Sequence, residues 1–377
     1  MCYKLSVKNK ILSLTTIKPL KDLRIRHSNA LVEARGMREL IKVWWIAFRY
    51  HFVPASFLPA ILGTVVAWAL TGLMNQWFFL LTVLGVTLNH IALNMTDDYF
   101  DYHAAVDCPD KRNPYSGGSG TLTRGMIQHK HMCMVFTSFY LLTVIIGLYL
   151  CAVQTWWILA FGCLGMGSSY FYTAPPIRYG YRGLGEISQL INFSFTIGMG
   201  AFVVQTISFS REAFLVLLPL GFMMFAMIII NEIPDRNDDA AAGKNNLVVR
   251  FGAEKALWLY GIAMTLAYST ILFAPLMNMA SFWIYLAFVT LPWTVQAFSI
   301  LSKYFNEPSL LIPANLLTIR AHHLTGILLI IAYLIQGMQN QREFQPAFFA
   351  LLLLAAFYLP AAVPVLFKGN KNSQLEG

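Results

Sequence analysis

Two short windows of this 377-residue chain hold half of its acids. Of 18 Asp and Glu, five lie between Asp97 and Asp110 and four between Glu232 and Asp239. The first window closes "LNHIALNMTDDYFD", Leu88 to Asp101, and the second opens "NEIPDRNDDAAAGK", Asn231 to Lys244. On a helix, residues three or four apart share a face. Asn94, Asp98 and Asp101 fall on one stripe, with Asp97 and Asp101 as a second pair. Asn231, Asp235 and either Asp238 or Asp239 repeat the pattern. His90 stands one turn before Asn94 and is read either as a base or as a core histidine bonded to a neighbouring helix. His322 and His323 are open to the same two readings.

Carboxylates crowded at a membrane boundary repel one another and lose hydration. Within the first window no basic residue precedes Lys111 to offset that. A single acidic helix end is an ordinary solvated cap; a matching pair calls for another account. Mg²⁺ takes oxygen ligands, keeps several waters and bridges carboxylates to phosphate. The chemistry expected is therefore a phosphate-bearing ligand held through Mg²⁺.

The elements that position these windows are apolar. The chain is 57% hydrophobic and 12% charged, with a mean hydropathy of +0.57, where a soluble protein carries about twice that charge. Apolar runs of bilayer-crossing length occur at 54–73, 77–96, 131–152, 154–174, 187–208, 212–232, 255–274, 278–300, 321–338 and 346–367. None alternates as barrel strands do. The expected fold is an all-α polytopic membrane protein. Of 27 Lys and Arg, all but Arg211 and Arg342 fall before the first span, in the loops after even-numbered spans, or in the tail. That split is the positive-inside signature and predicts cytoplasmic termini. Both acidic windows end even-numbered spans, so they are expected on that same face. The net charge of +9 is covered by basic loops beside anionic lipid, which removes the case for nucleic acid. Residues 1–40 have no apolar stretch or cleavage site of a secretory signal. They read as a basic tail or, in a eukaryote, an organelle-targeting segment. The five cysteines show no CxxC pairing and are expected as small core residues.

At the two windows the sequence resembles the UbiA superfamily of intramembrane prenyltransferases, whose members carry an Asn/Asp-rich motif ending the second helix and a DxxxD motif ending the sixth. "NMTDDYFD" and "DRNDD" are similar to these. So are "FRYHFVPASFLPAILG", with Arg49 at the family's basic position, "GGSGTLTRG", "YFYTAPPIRYGYRGLGE" and "DDAAAGKNNLVVRFG". The resemblance spans about 45–340, leaving 1–45 as a basic cytoplasmic segment, 46–340 as the prenyltransferase domain of nine core helices, and 341–377 as a tenth helix and tail.

The resemblance implies Mg²⁺-dependent transfer of a polyprenyl chain from its diphosphate to an aromatic acceptor. The "GGSG" loop and "YRGLGE" are most similar to the branch that prenylates 1,4-dihydroxy-2-naphthoate on the way to menaquinone. Other acceptors of the superfamily, such as 4-hydroxybenzoate and homogentisate, stay open. The implied metal set is Asp98, Asp101, Asp235 and Asp239, with Asn94 and Asp97. Arg49, Asn94, Asn231, Lys111, Arg112, Arg178 and Lys244 are the implied substrate contacts, Lys244 and Arg178 foremost. Tyr172 and Tyr170 offer π faces to an allylic cation or serve as interfacial belt residues. Glu186 is expected to hold a backbone amide or a basic loop residue. Expected partners are the two substrates and the bilayer. The expected location is the bacterial inner membrane for a prokaryotic source, with the site on the cytoplasmic side. The rival classes are a secondary transporter, for which no through-pathway of charge is visible, and a non-catalytic quinone-binding protein, for which paired acidic motifs are superfluous.

Overall fold

The structure, a computed structural model, describes residues 36–104, 106 and 117–343. The expected tenth span at 346–367, the tail 1–35, Lys111 and Arg112 lie outside the described residues. The described chain is helical: α1 (Met37–Ala47), α2 (Pro54–Thr71), α3 (Gln76–Ala104), α4 (His129–Val153), α5 (Trp157–Phe171), α6 (Gly185–Thr206), α7 (Arg211–Ala241), α8 (Leu247–Phe251), α9 (Ala253–Leu276), α10 (Phe282–Tyr304) and α11 (Ile312–Gln339). Among the described residues, eight of these helices are long and apolar enough to cross a membrane, and α5 is a shorter apolar helix of 15 residues. Together they account for the first nine expected runs.

Their limits correct the sequence-based ones where polarity and helicity part company. α3 runs on to Ala104 and α7 to Ala241, so Asp97, Asp98, Asp101 and the whole second window lie on helices, as their spacing requires. Charge ends a hydropathy run, but it does not interrupt backbone hydrogen bonding. α11 begins at Ile312, nine residues before its expected start, for the same reason.

Lipid is as apolar as a leucine side chain, so these helices associate by close packing and internal hydrogen bonds rather than by hydrophobic burial. α2 shows this best. Pro54 opens it at the first helical position, where a missing N–H costs nothing, and Gly72 closes it in the left-handed region at φ 79°. Nearly all of its side chains are buried. A Cβ on its Gly63 would overlap the Gly198 carbonyl of α6, and one on Gly337 of α11 would overlap the Trp68 ring. Small residues thus let α6 and α11 lie directly against α2. Part of α6, Asn192–Met199, is wound as a π-helix.

α1 precedes the bundle and packs Val43 and Ala47 onto Ala92, Met95 and Leu122. Its other face leaves Ile41 and Trp45 exposed. That amphipathic pattern suits a helix lying in the membrane interface.

Candidate active site

The ends of α3 and α7 meet. Lys244, just beyond α7, sets its Nζ 3.3 Å from Asp101 Oδ2 and 4.0 Å from Asp239 Oδ1. Asp235 and Asp101 both lie close enough to repel the Asp239 carboxylate. Of the two candidates at the end of the second stripe, Asp239 is buried and Asp238 exposed. Burial pulls the Lys244 ammonium down, but Asp101, Asp239, Asp97 and Tyr172 outweigh it and hold its proton above the ordinary lysine range. Lys244 is therefore charged at neutral pH.

Three loops fix this meeting point. In the first, the Ser119 backbone N–H donates to Asp98 Oδ1 at 2.8 Å. In the second, the Tyr181 hydroxyl donates to Asp101 Oδ1 at 2.5 Å. Burial, then the Asp101 charge, push that phenol well up, so it stays a donor. The third loop turns at Gly243, φ 80°. There Asn246 Nδ2 donates to Asp239 Oδ2 at 2.8 Å while its Oδ1 caps α8 through the Val249 N–H. The second and third loops are stitched together. The Asn245 N–H donates to the Tyr181 carbonyl at 2.9 Å, and Arg250 donates to the Arg182 carbonyl at 2.6 Å. Glu186 is wholly buried and accepts from the Leu247 N–H at 2.6 Å, so it does hold a backbone amide.

Beside the carboxylates is a cavity of about 120 Å³ lined by Arg49, Asn94, Asp97, Tyr172 and Asn231 among others. Arg49 stands in the left-handed region at φ 49° with its guanidinium 3.6 Å from Asp97. Asn94 donates to the Phe48 carbonyl at 3.3 Å, tying α3 to the segment that carries Arg49. Asn231 accepts from Asn315 of α11 at 2.8 Å. The Tyr172 ring is held flat: Cβ atoms at Gly180 and Gly185 would fall about 3 Å from its carbons. Burial raises its phenol, and the Glu232 charge adds to that. His90 pairs its Nδ1 with Ser56, packs edge-on to Phe193, and walls this cavity and a second one.

The expected residues are thus brought together unevenly. Asp97 lines the cavity, whereas Asp98 is turned toward the Ser119 loop. Arg178 lies with its guanidinium carbon 5.6 Å from the Tyr181 ring centroid and does not line the polar cavity. Tyr170 packs among Phe100, Tyr140 and Phe171 and lines neither cavity. His322 and His323 are buried inside the bundle, where neither cavity reaches them. Sequence reasoning missed Ser119, Tyr181, Asn246 and Asn315. Tyr181, Ser119 and Asn246 stand inside quoted motifs, which is the one signal that points to them; Asn315 stands in none.

The donor set bears on magnesium. All the expected ligand atoms are oxygens, and Asp98 Oδ2 is buried without a hydrogen-bond partner among the described residues. Among the described residues no three His, Cys, Asp or Glu side chains are grouped so as to hold a metal ion by themselves. Mg²⁺ is seldom held by protein alone; it keeps waters and shares phosphate oxygens. Carboxylates divided between two helix ends suit that habit, so the residues fit.

The helical fold of the described residues, with eight helices long and apolar enough to cross a membrane, defines an integral, multi-pass membrane protein. The chain belongs to the UbiA prenyltransferase family, whose model matches residues 56–309, and it is a prenyltransferase. It is similar to the 1,4-dihydroxy-2-naphthoate octaprenyltransferase of Bacillus subtilis, with 27% identity over 68% of this chain and 81% of the relative. It is also similar to the 2-carboxy-1,4-naphthoquinone phytyltransferase of a Synechocystis strain, 25% identical over 78% of this chain and 93% of the relative. Among solved structures, a UbiA homolog from Archaeoglobus fulgidus bound to GPP and Mg²⁺ shares the fold. Its TM-score is 0.56 at 15% identity, covering 78% of this chain and 99% of that one.

Proposed function

We propose that the protein transfers a polyprenyl chain from its diphosphate to an aromatic acceptor, 1,4-dihydroxy-2-naphthoate, in menaquinone biosynthesis, with Mg²⁺ as cofactor. The observation that carries this is the convergence of Asp101, Asp239 and Lys244 beside a cavity open to Tyr172. The naphthoate and naphthoquinone names of the relatives support the acceptor, and the ligands of the archaeal homolog support the donor and the metal.

In this reading Asp98, Asp101, Asp235 and Asp239, aided by Asn94 and Asp97, would hold the metal, which would supply Lewis-acid neutralisation of the leaving diphosphate. Lys244 turns from the two aspartates to the phosphate oxygens, with Arg49 on the cavity wall. Arg178, in the loop after α5, is a further contact for the diphosphate in this reading, as are Lys111 and Arg112, which lie outside the described residues. Tyr181 and Asn246 keep Asp101 and Asp239 aimed inward. Heterolysis of the allylic C–O bond leaves a cation, which the Tyr172 ring faces in a water-poor pocket. An acceptor ring carbon attacks the allylic carbon. Aromaticity returns as that carbon expels a proton or, where it bears the carboxylate, CO₂. The charge asymmetry of the loops supports a site at the cytoplasmic surface, where a diphosphate is soluble and its tail can stay in lipid. The test is to supply membranes containing the protein with a prenyl diphosphate and a panel of phenolic acids, with and without EDTA, and to identify products by mass. A prenylated naphthoate product formed only without EDTA supports the reading. A product from another acceptor alone overturns the assigned substrate.

A further inference from the structure

A second cavity, about 160 Å³ and mostly apolar, lies among α3, α4, α5 and α6. It shares His90, Leu93, Gln189 and Phe193 with the polar cavity, so those four form the junction of the two. His90 comes from α3, and Gln189 and Phe193 stand one turn apart on α6. Gln189 and His90 are only 7% and 8% exposed.

Several polar side chains around the apolar cavity satisfy one another. The Tyr179 hydroxyl donates to the Ser168 carbonyl at 2.5 Å and pairs with Ser188 Oγ at 2.9 Å. Asn192 Nδ2 donates to the Ser188 carbonyl at 2.9 Å, and Ser168 Oγ donates to Asn192 Oδ1 at 3.0 Å. Gln189, in the middle of that group, stays out of it. Among the described residues its amide makes no hydrogen bond, and His90 makes one, through Nδ1 to Ser56, which leaves Nε2 without a partner. Buried polar groups are normally hydrogen-bonded, and leaving them unpaired is costly. Two such groups where the cavities meet call for a bound group that pairs with them.

The prenyl donor does not supply that group. Its hydrocarbon chain has no hydrogen-bonding atom, and its diphosphate is an anion suited to Lys244 and a metal. A primary amide offers both donors and an acceptor, and imidazole Nε2 offers one or the other according to its tautomer. A hydroxyl, which donates and accepts, complements both. Phe193 adds an aromatic ring at the same place, edge-on to His90 with centroids 6.3 Å apart. A hydroxylated aromatic ring matches this surface. We infer that Gln189 and His90 bind a ring hydroxyl of the acceptor and so select hydroxylated rings over bare ones. The inference rests on the prenyl-transfer reading above and gives its acceptor two contacts. A site built to hydrogen-bond a hydroxyl rejects the analogue that lacks it, because the site's own polar groups are then left unpaired.

The experiment measures binding of 1,4-dihydroxy-2-naphthoate and of 2-naphthoate by titration calorimetry. It uses the full chain in lipid nanodiscs, without oxygen and with EDTA so that nothing turns over. The wild type is expected to prefer the dihydroxy acid by about tenfold or more. Gln189→Leu and His90→Leu are each expected to cut that preference to about threefold or less, by weakening the dihydroxy acid alone. Gln189→Leu removes an unpaired amide from apolar surroundings, so its melting temperature should not fall. Its KM for the prenyl diphosphate should stay within a factor of about two of wild type. A Gln189→Leu variant that keeps the preference, or that weakens both acids equally, overturns the inference, as does a wild type that binds the two acids equally. If the leucine variant does not fold, Gln189→Met is measured and the same preference decides. Wild-type protein that forms no prenylated naphthoate in the mass assay counts against the acceptor reading instead, so the two failures are distinct.

Discussion

Asp101 at the end of α3 and Asp239 near the end of α7 are held by one ammonium, that of Lys244, at 3.3 Å and 4.0 Å. The contact between Lys244 and Asp101 closes 143 residues of chain. The two acidic motifs are therefore halves of one site, and removing either half should do most of the damage. Asp101→Asn and Asp239→Asn are each expected to lower turnover about 100-fold or more, a loss of about 2.7 kcal/mol of transition-state stabilisation. The double variant should be worse by far less than a further 100-fold, because groups acting as a unit are not additive. Steady-state kinetics of the three variants check this; fully multiplicative losses would separate the two motifs.

Lys244 is charged through the neutral range, and its expected role is on the donor. Hydrogen bonds to charged groups contribute about 1.5–3 kcal/mol. Lys244→Met should therefore raise KM for the prenyl diphosphate roughly 10- to 100-fold while leaving KM for the aromatic acceptor within a factor of about two. Lys244→Arg should recover part of the loss. Equal changes in both KM values would assign Lys244 to the scaffold alone.

Glu186 separates scaffold from chemistry. Its Oε1 accepts from the Leu247 N–H at 2.6 Å, and that bond docks the third loop onto α6. Glu186→Gln keeps an acceptor oxygen, whereas Glu186→Ala leaves a buried N–H unsatisfied, at a cost of about 1–3 kcal/mol. The alanine variant should unfold several degrees lower in a thermal scan, and the glutamine variant should stay near wild type. A glutamine variant as unstable as the alanine one would mean that the charge, not the acceptor, holds the loop.

The bundle and the acidic motifs were legible because each is written locally. Hydrophobic length marks a span, and the spacing of Asn94, Asp98 and Asp101 marks a helix face. The helix limits were less legible, since residues 97–104 and 233–241 are polar yet continue their helices. Contacts between distant segments were the least legible. Within the first window no cation precedes Lys111, yet Arg49 and Lys244 reach it from outside. Nor does spacing say that Asp98 turns toward Ser119 while Asp97 lines the cavity, or that Tyr172 faces it and Tyr170 does not. Those choices depend on loop paths that only the packed bundle defines.

Packing around α2 offers a test that is independent of chemistry. Gly63 and Gly198 bring α2 and α6 into contact, and a larger side chain at Gly63 would meet the Gly198 backbone carbonyl and the Ala201 Cβ. Overpacking costs about 1–3 kcal/mol, occasionally more. Gly63→Leu should therefore shorten the half-life of the solubilised protein at elevated temperature, whereas Gly147→Ala, which meets open space, should not. Equal half-lives for the two variants would contradict the close approach.

The most direct test of the account is release of inorganic diphosphate by purified protein from geranyl diphosphate and a phenolic acceptor, titrated with Mg²⁺. The account predicts release that requires the metal and is lost in Asp98→Asn and in Asp235→Asn separately, with both variants remaining folded in membranes. Wild-type release by both variants, or release undiminished by EDTA, would contradict it.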